Sequence, residues 1–139
     1  MNIIYGGCHC GNIGYEIQTA NFPISFSQRK CECDFCRKHS AAYISDSEGS
    51  VIISIKNKNQ LNKYTQGSKI ADFFICKVCG VLTNVVFNED KKLYAAINSK
   101  TANEEFIFAE ETIILPENLS NLAKKQRWKK LWFNNASIE

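Results

Sequence analysis

Proline is nearly absent from this chain, with two residues in 139, and no stretch is low in complexity, repetitive or linker-like. With 45% apolar and 22% charged residues, that scarcity excludes a proline-rich or disordered polypeptide and fits a folded one. No apolar run approaches the roughly 20 residues a membrane-spanning helix requires. The start, Met1-Asn2-Ile3-Ile4-Tyr5, has neither a basic segment nor an apolar core of the secretory type, so a soluble, cytoplasmic protein is expected. A large charge excess is missing too. Seventeen Lys and Arg against fourteen Asp and Glu leave a net +3, so nucleic acid is not the expected partner. The length suits a single domain spanning residues 1–139.

What the chain does have is cysteine, seven in all, in three tight groups: Cys8-x-Cys10, Cys31-x-Cys33-x-x-Cys36 and Cys76-x-x-Cys79. Within six residues, three thiols are too close for a comfortable disulfide but well spaced to face one metal ion. In a reducing compartment, clustered cysteines and an odd total point to metal rather than to a disulfide framework. Four thiolates close a structural zinc site and three leave a position open. Two Zn2+ ions per chain are therefore expected, one closed and one open, with other partitions of the seven sulfurs allowed by the count. His9, between Cys8 and Cys10, should point away from a metal its neighbours hold.

The rest of the chain reads as β-rich. Asn2–Tyr5 suits a strand running into Gly6-Gly7, and Ile13, Tyr15 and Ile17 alternate with polar residues as a half-buried antiparallel strand does. Ile24, Phe26 and Gln28 suit another strand leading through Arg29-Lys30, so that the three-cysteine stretch hangs at a strand end. Ala42–Ser45 and Val51–Ile55 read as a hairpin about Asp46–Gly49. Leu61 and Tyr64 anchor a short element before a Gln66-Gly67-Ser68 turn, and Ile70–Ile75 leads to Cys76, with Phe73 and Phe74 read as core. Cys76-Lys77-Val78-Cys79-Gly80 has the form of a zinc knuckle. A redox pair of the thioredoxin kind should open a helix, whereas Val81–Phe87 continues β-rich. Lys91–Ile97 and Phe106–Ile114 complete the strands and Pro116 ends them. Ser120 then caps a helix anchored by Leu122, Trp128, Leu131 and Trp132. Its Lys124, Lys125, Arg127, Lys129 and Lys130 read as a solvated face, with the aromatics docked on the sheet.

Gly7-Cys8-His9-Cys10-Gly11, Cys31-x-Cys33-x-x-Cys36-Arg37-Lys38-His39 and Cys76-x-x-Cys79-Gly80-Val81 together resemble the glutathione-dependent formaldehyde-activating enzyme family, which includes centromere protein V. Ser45-Asp46 and Ala71-Asp72-Phe73 fit the same likeness, which spans about residues 5–97 and leaves a C-terminal strand and helix within 106–133. The resemblance implies a mainly β fold, a β-tent of antiparallel sheets organised around zinc. It also implies a ligand partition: Cys8, Cys10, Cys76 and Cys79 hold the structural zinc, and Cys31, Cys33 and Cys36 the catalytic one. The implied activity is that of a carbon–sulfur lyase, joining or separating a small-molecule thiol such as glutathione and an aldehyde such as formaldehyde. From their place beside the motif, His39 is the candidate proton carrier, and Arg37 and Lys38 the candidate substrate contacts. A zinc-stabilised binding module for protein or nucleic acid and a thiol redox or metal sensor are the rival readings. Homodimerisation is left open.

Overall fold

The computed structural model describes residues 1–66, 69–104, 108–114 and 119–139. The turn expected at Gly67-Ser68, the strand start at Phe106 and the break at Pro116 lie outside the described residues.

Eleven strands form two sheets among the described residues. In chain order they are β1 (Asn2–Gly7), β2 (Ile13–Thr19), β3 (Gln28–Cys31), β4 (Ala42–Ile44), β5 (Ser50–Ile55) and β6 (Leu61–Tyr64). There follow β7 (Asp72–Cys76), β8 (Leu82–Glu89), β9 (Lys92–Asn98), β10 (Glu111–Ile114) and β11 (Asn135–Ile138). Helix α1 (Asp34–Lys38) follows β3, and α2 (Asn121–Leu131) precedes β11. One sheet runs β1-β2-β5-β11 and the other β10-β3-β4-β9-β8-β7-β6. The pairings are antiparallel except at one edge of each sheet, where β10 lies parallel to β3 and β11 parallel to β5. The mainly β architecture with a short C-terminal helix is as expected.

Alternation in β2 puts Ile13, Tyr15 and Ile17 inside, as the sequence implies. The larger sheet behaves differently at its centre. From Leu82 to Phe87 every residue of β8 is buried, because this sheet is covered on both faces. On one face Phe74, Val86, Ala95 and Ile97 meet Ile4, Ile17 and Ile53 of the smaller sheet. On the other, Tyr43, Phe73, Val85 and Phe87 meet Trp128, Leu131 and Trp132. Cys31 and Cys36 belong to this second core.

The C-terminal segment straps the layers together. Phe133, fully buried, exchanges two backbone hydrogen bonds with Ala95 of β9, and the chain then crosses to pair β11 with β5. Ser120 accepts a hydrogen bond from the Ala123 amide, the cap read from sequence. Among the described residues no helix is long and apolar enough to cross a membrane.

Three expectations are corrected. β4 and β5 are not a hairpin, since they sit in different sheets. The Asp46 carboxylate explains the crossing: it accepts from Thr19 Oγ1 at 2.6 Å and from Asn21 Nδ2 at 3.2 Å, drawing the turn to the end of β2. Ile24 lies in a single 3-10 turn, Pro23–Ser25, rather than in a strand, with Ser25 Oγ bonded back to the Phe22 carbonyl at 2.7 Å. Leu122 is exposed rather than an anchor of the core, whereas Trp132 packs from just beyond the helix. Phe73 is core as expected, and it also lines a cavity.

Candidate metal and substrate site

Cys31 ends β3, Cys33 caps α1 and Cys36 lies one turn in, buried beneath the helix. Cys33 Sγ accepts from the Cys36 amide at 3.4 Å, so the spacing that folds the turn also converges the thiols. The three Sγ atoms lie within 4.8 Å of one another. The Tyr43 hydroxyl stands 3.3 Å from Cys36 Sγ, and Gln66 Nε2 donates to Cys33 Sγ at 3.7 Å.

These thiols share protons as a unit. Hydrogen bonds from Cys31 and Cys36 hold Cys33 down to about 2, while bonding to Cys33 raises Cys31 to about 11. Cys36 is pushed far above an ordinary thiol by its bonds to Cys31 and Cys33 and by burial. Burial, with the Cys36 sulfur beside the hydroxyl, likewise raises Tyr43 well above an ordinary phenol. Three sulfurs converging within 4.8 Å are a donor set that fits a divalent cation.

The cluster opens on a cavity of about 140 Å3. Its sheet wall carries Arg29, Tyr43, Phe73 and Val85, and its helix wall Lys124, Arg127, Trp128 and Leu131. Arg29 donates to Ser45 Oγ at 2.6 Å, and Ser45 in turn donates to the Leu131 carbonyl at 2.6 Å, tying strand to helix. Desolvation, with Arg127 nearby, lowers Arg29 to about 10, so it stays charged at neutral pH.

The second cluster joins Cys8 and Cys10, in the β1–β2 turn, to Cys76 and Cys79, in the β7–β8 turn. Cys8 and Cys10 Sγ are 3.8 Å apart, and Cys10 and Cys76 Sγ 3.5 Å. Tetrahedral thiolates around zinc at about 2.3 Å would stand about 3.8 Å apart, so this set fits a zinc ion. Gly11 and Gly80 each follow the second cysteine of a pair at φ 88° and 78°, a backbone that favours glycine. Burial opposes ionisation of Cys79, but the backbone around Cys10 and Val81 and the Cys76 and Cys8 thiols outweigh it, lowering it to about 6. All seven cysteines are free thiols. The two clusters could hold metal ions, and His9 belongs to neither.

The sequence model of the glutathione-dependent formaldehyde-activating enzyme matches residues 3–114. The chain belongs to this family. The match takes in all seven cysteines and ends with β10, so α2 and β11 lie beyond it. The crystal structure of a Rhodobacter sphaeroides protein superposes with a TM-score of 0.56 at 20% identity, covering 76% of this chain and 99% of that one, a likeness of fold. No curated protein matches the sequence.

Arg37, Lys38 and His39 are exposed and are not among the residues lining the cavity. Arg37 pairs with Asp34 at 3.3 Å, and the His39 ring packs 4.8 Å from Phe35. The basic groups that do line it are Arg29, Lys124 and Arg127. A signal for each existed. Arg29 and Cys31 are two apart in one strand and so share a face, while Lys124, Arg127, Trp128 and Leu131 fall at helical spacing on one side of α2.

Proposed function

We propose that this member of the glutathione-dependent formaldehyde-activating enzyme family forms or cleaves S-hydroxyalkyl adducts between a thiol such as glutathione and an aldehyde such as formaldehyde. The observation that carries the reading is the convergence of Cys31, Cys33 and Cys36 on the wall of a cavity, so that one side of the cluster meets space a substrate can enter. Family membership supplies the reaction class. Zinc held by those three sulfurs would offer a vacant position that keeps a substrate thiol ionised near neutral pH. Zinc held by Cys8, Cys10, Cys76 and Cys79 would be structural.

In the forward direction the thiol gives up its proton, its sulfur bonds to the carbonyl carbon, and the carbonyl oxygen takes a proton. The reverse breaks the carbon–sulfur bond. Around that chemistry the chain's own groups have defined work. Tyr43 and Gln66 fix the orientation of the Cys36 and Cys33 sulfurs. Phe73, Trp128 and Trp132 wall out water that would compete with the thiol. Three thiolates around Zn2+ leave a net charge of −1, which suits binding and releasing a thiol better than activating water.

Exchange NMR tests the reading: zinc-loaded protein should accelerate interconversion of formaldehyde plus glutathione with their adduct over the spontaneous rate. Acceleration should vanish in Cys33→Ser. Spontaneous exchange rates at saturating protein and metal, with glutathione and with simpler thiols alike, would remove the lyase reading.

A further inference from the structure

Five residues lining the cavity, Lys124, Arg127, Trp128, Leu131 and Trp132, lie beyond residue 114, where the family match ends. This wall therefore belongs to the chain's own C-terminal segment, and its charges are sorted. Lys125 and Lys129, a quarter-turn or more around α2, both pair with Glu89 of β8. Lys124 and Arg127 instead line the cavity and make no ion pair among the described residues. Across from them Arg29 is bonded to a neutral hydroxyl. No Asp or Glu is among the described residues that line the cavity.

The sulfur cluster does not balance these cations. Three thiolates with one divalent ion would carry −1. Three positive side chains against one negative charge leave about two positive charges uncompensated in a half-buried space of low effective dielectric. An anionic ligand group is what removes that imbalance. Arginine presents a planar fork that matches a carboxylate, and the indoles of Trp128 and Trp132, stacked 4.7 Å apart, offer a flat apolar surface beside it.

We propose that α2 makes the site selective for a reactant bearing a carboxylate, held by Arg127 and Arg29 with Lys124 adding charge, while its reacting end faces Cys31, Cys33 and Cys36. The inference rests on the lyase reading for its chemistry, but its test reads binding. Trp128 and Trp132 are the chain's two tryptophans, and both line the cavity, so intrinsic emission reports on this site.

Zinc-loaded protein is titrated with 3-mercaptopropionate and with its neutral methyl ester, then with glyoxylate and methyl glyoxylate. The acid of at least one pair should half-saturate at a concentration about tenfold or more below that of its ester. Which pair shows the difference tells whether the carboxylate sits on the thiol or on the aldehyde. In Arg127→Gln the ratio should fall toward one, with the ester's midpoint little changed. Salt should weaken the acid and not the ester in the unaltered protein, a reading independent of any variant's folding. Equal binding of acid and ester in both pairs, or an undiminished preference in a folded Arg127→Gln, overturns the proposal. Charge-selective binding without turnover sinks the lyase reading and leaves this one standing; equal turnover of acid and ester does the reverse.

Discussion

Cys10 Sγ lies 3.5 Å from Cys76 Sγ although 66 residues separate them along the chain. Through this contact the β1–β2 turn of one sheet is fastened to the β7–β8 turn of the other. A metal there closes a long loop, and its binding energy becomes folding energy because the unfolded chain has no such site. Cys76→Ser should lower the melting temperature by roughly 10 °C or more, and a strong chelator should do the same to the unaltered protein. Differential scanning calorimetry decides it; a melting temperature shifted by less than about 2 °C in both cases would mean that this cluster holds no structural metal.

Cys33 is the thiol its neighbours hold ionised, and it accepts from Cys36, Gln66 and the Cys31 thiol rather than from anything in the four-cysteine cluster. The two clusters are thus separable. Zinc content by atomic emission should fall from about two ions per chain to about one in Cys33→Ser, with the melting temperature changed much less than in Cys76→Ser. A protein that loses both ions together contradicts the division into two sites.

The buried alternation of β2, the capped C-terminal helix and the grouping of the cysteines were legible because each is a local pattern: period two, a serine before an apolar run, a thiol spacing. The crossing between β4 and β5 was not, since Asp46 reaches Thr19 and Asn21, some 25 residues back. Strand β11 was also hidden. Asn135-Ala136-Ser137 has weak strand propensity and is extended only because Ser50–Ile53 offers it an edge. The cavity's basic residues were visible individually, but Arg29 and Arg127 come together only when α2 lies across the sheet, which no local pattern encodes.

Glu89 bridges Lys125 and Lys129, fixing the outer side of α2 to β8. Hydrogen bonding to Lys129, with Lys125 contributing, holds its carboxyl below the ordinary value of 4.5. A depressed carboxylate contributes stability that is present above the ordinary value and is lost as pH falls through the lowered one. Unaltered protein should therefore exceed Glu89→Gln slightly in urea midpoint at pH 7, and the gap should close below the carboxylate range. The gap should also shrink in high salt, because the pair is partly exposed. A gap that persists at pH 2 would assign Glu89's effect to packing rather than charge.

Phe133 is fully buried between the sheets and is also bonded through its backbone to Ala95. Truncation to alanine keeps those backbone bonds and removes only the ring. Phe133→Ala should cost about 3–5 kcal/mol in urea unfolding, a cavity effect at the point where the strap from α2 to β11 enters the core. A cost below about 1 kcal/mol would show that the neighbouring isoleucines collapse into the space and that the strap is held by its backbone alone.

His39 stands three residues beyond Cys36, and by adjacency it is the natural proton carrier for chemistry at the three-cysteine cluster. Geometry argues against that role. Ser40 turns the chain with φ 52°, leaving His39 exposed with its ring against Phe35, which is itself wedged between Tyr64 and Phe73. Neither His39 nor Phe35 is among the residues lining the cavity that Tyr43 and the thiols share. If turnover is detected, His39→Ala and Arg37→Ala should each retain it within about twofold, whereas Cys36→Ser should abolish it. A loss of about 100-fold in His39→Ala, the lower range expected when a general acid or base is removed, would restore the adjacency reading and require α1 to reorient when substrate binds.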